Sequence, residues 1–148
     1  MPTLHDPAHR AAIDARVRAL RPDSARRWGR MSIDQMLWHV NEALELALGR
    51  TSAAPVPAPV PMPKAVLRTL VLALPWPKGV RTMPTLLARD PHDFVAEHGR
   101  CLALVDAMAA RDVEGAWPSH PMLGAMQGRH WSALMAKHLC HHLTQFGV

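Results

Sequence analysis

Residues 128–147 read GRHWSALMAKHLCHHLTQFG, a helical pattern that carries His138, His141 and His142. His138 and His142 stand four apart, so one helix face can aim both imidazoles at a single point. Upstream, His39 lies in a second amphipathic stretch, MSIDQMLWHVNEAL. Two packed helices could bring these three rings together around a metal ion. Three neutral nitrogen ligands would leave coordination positions open, as in catalytic rather than structural zinc sites. Such a metal could lower the pKa of bound water, or bind and deprotonate a thiol. Zinc, nickel and iron all suit imidazole.

Spacing alone is a weak signal in this chain, which holds 10 histidines in 148 residues. At that density about 0.7 i,i+4 pairs arise by chance. His5 and His9 form such a decoy, because Asp6-Pro7 starts a helix between them. The C-terminal pair passes a geometric test. With about 100° per residue and His138 at zero, Trp131, His142, Met135, Phe146 and Leu139 fall within about 100° on one side. His141 falls at roughly −60°, at the margin of this face. His138 and His142 therefore point inward and His141 is peripheral. Gln145 falls beside His138, where it could serve as a hydrogen-bond partner behind the ligands. His39 shares a stripe with Met36 and Ala43. From the residues alone two readings stay open: histidines satisfied within a core, or a metal site. An unpaired buried polar group costs about 1–3 kcal/mol, and one cation satisfies several imidazoles at once.

Other chemical groups give less. Glu42 lies three residues beyond His39, on its flank, where a solvated carboxylate is the usual case. His120, before Pro121, sits in a loop that could border the mouth of the site. Cys140 falls about 200° from His138, on the opposite face, which argues against a cysteine nucleophile. Trp38 and Trp131 read as core residues rather than ligand-stacking ones.

The elements that must position these groups are helices. Asp6-Pro7 supplies an N-cap and a proline at N1 for a helix to about Leu20. Ser32 and Gln35 form a capping box for the His39 helix, whose core positions are Met36, Leu37, Val40, Ala43, Leu44 and Ala47, with Gly49 as its stop. Residues 53–63, AAPVPAPVPMP, read as an extended polyproline connection. A short apolar helix over about 63–74 follows, then a loop over 76–90. Asp90-Pro91 repeats the N-cap and N1 arrangement and is expected to open a helix to about Arg111, with Phe94, Val95, Leu102, Val105 and Met108 or Ala109 on its core face. The last helix spans about 128–146 and ends at Gly147. No period-two run bounded by turn signals is evident. The expected fold class is all-α: a single domain over 1–148, a four-helix bundle with an extra short helix after the proline-rich connection.

The bulk composition narrows the function. An apolar fraction of 49% and a charged fraction of 20% describe a globular chain. No apolar run reaches the roughly 18 residues of a membrane span, which argues against a membrane partner. The N-terminal MPTLHDPAHR lacks the apolar core of a secretory signal, and the two cysteines are too few for a disulfide framework, so a cytoplasmic location is expected. The net charge is +5, and 14 of the 17 basic residues are arginine. They are scattered, with Arg26, Arg27 and Arg30 the densest group, which argues for a solvated basic surface over a nucleic-acid partner.

Three stretches carry a family likeness: Trp28-Gly29-Arg30-Met31-Ser32 running into Gln35-Met36-Leu37-Trp38-His39, then His120-Pro121-Met122-Leu123-Gly124, then Trp131 through Gly147. In these the sequence resembles the DinB-like superfamily of metal-binding four-helix bundles, which includes the YfiT-type proteins. The last stretch is the most specific. The resemblance implies a divalent metal held by one histidine of the second helix and by H-x-x-x-H on the last, here His39, His138 and His142. It also implies, for some members, transfer or isomerisation with a low-molecular-weight thiol, and for others metal-dependent hydrolysis. The implied reading is an enzyme acting on a small-molecule substrate. Its alternative is a non-catalytic metal-binding or stress-associated bundle that acts as a homodimer. The proline-rich segment 53–63 lies outside the family pattern.

Overall fold

The computed structural model describes residues 1–80 and 82–148. Among these residues five α-helices follow in order: α1 Pro7–Ala19, α2 Ile33–Leu48, α3 Lys64–Ala73, α4 Phe94–Ala110 and α5 Gly128–Gln145, with a 3₁₀ turn at Pro84–Leu86 between α3 and α4. Among the described residues there is no strand; His120 and Gly124 pair only as an isolated bridge. The all-α expectation therefore holds.

Four helices pack in a ring. α1 touches α4 and α5, and α2 touches the same two, so α2 and α5 share a seam. α2 buries Met36, Leu37, Val40, Ala43, Leu44 and Ala47, the apolar stripe expected of it. It begins with the Ser32 N–H donating to Gln35 Oε1 at 3.1 Å and ends at Gly49, whose φ of +72° suits a residue without a Cβ. α5 buries Trp131, Leu134, Met135, Leu139 and Leu143 along the same side as His138 and His142. Trp131 is fully enclosed, and its N–H donates to the Pro118 carbonyl at 2.8 Å. The N-terminus is tied to α5 through Ser132, whose Oγ accepts from the Leu4 N–H at 2.9 Å and lies 2.8 Å from His5 Nδ1.

Two expectations need correction. α4 starts three residues later than the Asp90-Pro91 pair suggested. Its N-cap is Asp93, whose carboxylate accepts from the N–H groups of Val95 and Ala96 at 2.9 and 3.1 Å. Asp90 and His92 are used instead to lay the preceding chain on α2: the Asp90 carbonyl accepts from Gln35, and the His92 N–H donates to Asp34. The fully buried residues of α4 are Cys101, Leu104, Val105 and Met108; Phe94 and Leu102 pack half-buried against the core, and Val95 is 76% exposed. Trp38 is the second correction. It is half-buried outside the core and stacks on His92 at 5.0 Å.

The proline-rich segment forms no helix, and Ala53, Val56, Ala58 and Met62 lie along the core as an extended strap. The connection from α3 to α4 is long but anchored. Lys137 of α5 donates to the carbonyls of Val71 and Leu72 at 2.7 and 2.9 Å, and to that of Leu74, closing the C-terminal end of α3. Further on, Met83 and Leu86 are buried. This brings the Leu86 carbonyl against α2. No helix among the described residues is long and apolar enough to cross a membrane.

The α4 correction is testable. Asp93→Ala should cost about 1 kcal/mol of stability through the lost cap. Asp90→Ala, which leaves its carbonyl in place, should cost less than about 0.5 kcal/mol. Urea denaturation of the two variants distinguishes the assignments.

Candidate metal centre

His39 projects from α2 across the seam to His138 and His142 of α5. One nitrogen from each ring lies within 4.8 Å of the others, the only such cluster of three or more ligating groups among the described residues. The ring centroids are 4.8 Å apart for His39 and His138, 4.9 Å for His39 and His142, and 4.8 Å for His138 and His142. All three side chains are at least nine-tenths buried.

Their hydrogen bonds define which nitrogens are free. His39 Nδ1 lies 2.7 Å from the Leu86 carbonyl, which can only accept, so Nδ1 carries the proton and Nε2 the lone pair. His142 is set in two steps. The Gln145 amide nitrogen donates to the Trp28 carbonyl at 2.8 Å, which leaves Gln145 Oε1 as an acceptor 2.7 Å from His142 Nδ1. His142 Nδ1 therefore donates, and its Nε2 is also a lone pair. His138 Nε2 sits 2.9 Å from His39 Nε2. With His39 Nε2 unprotonated, His138 donates in this contact, and can free the same nitrogen by moving its proton to Nδ1.

Burial keeps the rings neutral. It holds His39 below the ordinary imidazole value, against the opposing effect of the Leu86 carbonyl. It drives His138 well below that value, with His142 and His39 adding to the effect. His142 falls to about 3, by burial first and by His39 second. A neutral imidazole is the form that binds a metal.

The residues singled out from the sequence are placed as follows. His39, His138 and His142 come together. Gln145 is 3% exposed, and its side chain meets His142, three residues back along the helix. His120 is outside the cluster. Its Nδ1 accepts from the N–H groups of Met122 and Leu123 at 3.0 and 3.1 Å, shaping that turn, and its ring packs on Trp131. Burial lowers it to about 4. Glu42 turns toward α4, where Arg100 binds it at 2.8 Å. His141 is half-buried at the edge. Cys101 is buried, its thiol pushed up to about 12.

Two contributors were missed. The Leu86 carbonyl is a backbone group with no side-chain signature. The second is Gly29, at a φ of +81° beside the carbonyl that anchors Gln145. A Cβ there would run into the Gln145 amide nitrogen. The Trp28-Gly29 pair in the sequence was the available signal.

The donor set fits a divalent cation. Three uncharged nitrogens face inward, two with tautomers fixed by acceptors behind them, the support that metal-binding histidines require. Fold and site together define a helical protein with a buried three-histidine centre. The model of the DinB superfamily matches residues 7–146, and the chain belongs to that superfamily. No curated protein and no solved structure matches the chain.

Gly29→Ala should destabilise the protein by about 1–3 kcal/mol, from the left-handed backbone and the displaced Gln145. A change in urea-unfolding free energy below about 0.5 kcal/mol would contradict this account of the Trp28–Gln145–His142 support.

Proposed function

We propose that the chain binds one divalent cation through the Nε2 atoms of His39, His138 and His142, and uses it on a small-molecule substrate as a metal-dependent thiol transferase or hydrolase. One observation carries the reading: His39 and His142 each commit Nδ1 to an acceptor, which leaves Nε2 unprotonated, within a buried cluster of three histidines. The packing ring of α1, α2, α4 and α5 is read as the superfamily's four-helix bundle, with α3 as an addition. A cytoplasmic location suits the two free thiols.

When bound, the ion would supply a Lewis-acidic position at which a thiol or a water ionises near neutral pH. The chain's own residues do the rest. Leu86 and Gln145 orient the ligands and raise their basicity through the Nδ1–H bonds. Trp76, 5.8 Å from His138, and the apolar faces of α2 and α5 exclude water. Zinc, nickel and iron are all accepted by such a set.

A second reading keeps the metal without catalysis, in a protein that acts as a homodimer. It is favoured by the apolar stripe along α3 and its C-cap, where Val66, Leu70 and Leu74 are 48%, 38% and 55% exposed. Turnover separates the two: thiol cofactors with electrophiles, and ester and amide panels, should reveal a metal-dependent rate if the first holds.

Protein purified without chelator or nickel resin, and then offered zinc, should carry about one ion per chain by elemental analysis, and His142→Ala should lose it. Gln145→Leu should retain binding at about 10- to 100-fold lower affinity. Absence of metal after loading, or unchanged affinity in His142→Ala, would contradict the assignment.

A further inference from the structure

A second tier of side chains surrounds the outer edge of the triad. His141, the neighbour of His142, has its ring 5.1 Å from that of His142. Two indoles meet this same half-buried imidazole: Trp28 at 5.9 Å and Trp76 at 5.8 Å. Trp76 also reaches His138 at 5.8 Å. Each indole lies beneath an ammonium group, Lys78 at 4.7 Å from the Trp28 ring and Lys137 at 5.5 Å from that of Trp76. Lys137 is committed to the carbonyls that end α3. Lys78 is exposed and is in no ion pair among the described residues. Both tryptophans are held, Trp28 at its backbone carbonyl by the Gln145 amide and Trp76 by its indole Nε1–H, which donates to the Val71 carbonyl at 2.9 Å.

Charge is one-sided here. No ion pair among the described residues includes His39, His138, His141 or His142. A divalent cation held by three neutral nitrogens would keep its whole formal charge, in a water-poor setting where Coulomb attraction is strong. The molecule that completes the site must then bring negative charge. Trp28 meets His141 edge-on and Trp76 meets it at a tilt, so the rest of that molecule would lie against aromatic surface.

We propose that this outer face is a binding site for a small planar organic anion of the aromatic carboxylate class, its ring against Trp28 and Trp76 over His141, and its charge answered by the cation of the triad and by Lys78. The inference rests on the metal reading above and names the kind of molecule that reading leaves open.

Calorimetric titration of the zinc-loaded full chain tests it with four probes: benzoate, benzamide, benzylammonium and cyclohexanecarboxylate. Benzoate should bind about tenfold more tightly than benzamide or benzylammonium, because only it carries negative charge. It should exceed cyclohexanecarboxylate about threefold or more, which separates stacking from simple attraction of a carboxylate to zinc. Lys78→Ala should weaken benzoate about three- to fivefold at unchanged zinc content, and Trp28→Leu should remove the preference over cyclohexanecarboxylate. Lys78 is on the surface, so its variant stands even if Trp28→Leu folds poorly. Zinc content measured on the same samples separates two failures. A chain that takes no zinc brings down the metal reading and this site with it. A chain that takes zinc but binds benzoate no better than benzamide, or equally well without Lys78, overturns this site alone.

Discussion

Two hydrogen bonds, from His39 Nδ1 to the Leu86 carbonyl and from His142 Nδ1 to Gln145 Oε1, decide what the buried cluster can do. A neutral imidazole has one donor and one acceptor nitrogen, and the acceptor that one nitrogen faces decides that the other keeps the lone pair a cation needs. Each bond in turn depends on a remote part of the chain. The Leu86 carbonyl arrives because the connection after α3 is pinned by Lys137 at its start and by Asp34 and Gln35 at its end. Gln145 is oriented because the Trp28 carbonyl accepts its amide, and Gly29 leaves room for that approach. The loops around the helices thus help to set the histidine cluster.

The same principle divides α2 into two faces. His39 looks toward α5, while Glu42 and Glu45 look toward α4, where Arg100 joins both at 2.8 and 3.3 Å and also meets Glu97 at 3.3 Å. Asn41 adds a bond from its amide nitrogen to Glu97 at 2.7 Å. Burying carboxylates without partners would be costly, and a single guanidinium with several donors answers three of them. The arrangement also keeps negative charge away from the histidines. The triad stays neutral, and a cation placed there would be uncompensated by protein. The chemistry of the site and the ion network that locks α2 to α4 are therefore two results of one separation of charge.

Much of this was legible because it is local. H-x-x-x-H places two rings on one helix face whatever the rest of the chain does, and the stripe of Met36, His39 and Ala43 points His39 into the same core. The box at Ser32 and Gln35 and the stop at Gly49 depend only on neighbouring residues. The failures have physical causes too. Asp90-Pro91 and Asp93 are competing starts for α4, and the choice went to Asp93 because the residues before it bond to α2, a tertiary demand invisible in a local motif. The wheel places Gln145 beside His138 in angle, but distance along the axis puts its carbonyl oxygen on His142. Leu86 could not be found, since its role belongs to a backbone oxygen that any residue would supply. Trp38 was read as core, yet it is half-buried and stacks on His92.

X-ray absorption at the zinc edge of the loaded, otherwise ligand-free protein tests the central claim most directly, since it counts and identifies the atoms bound to the ion. The account predicts three imidazole nitrogens at about 2.0–2.1 Å, at least one further light-atom ligand from solvent, and no sulfur. A shell with a sulfur at about 2.3 Å, or with fewer than three imidazoles, would contradict it.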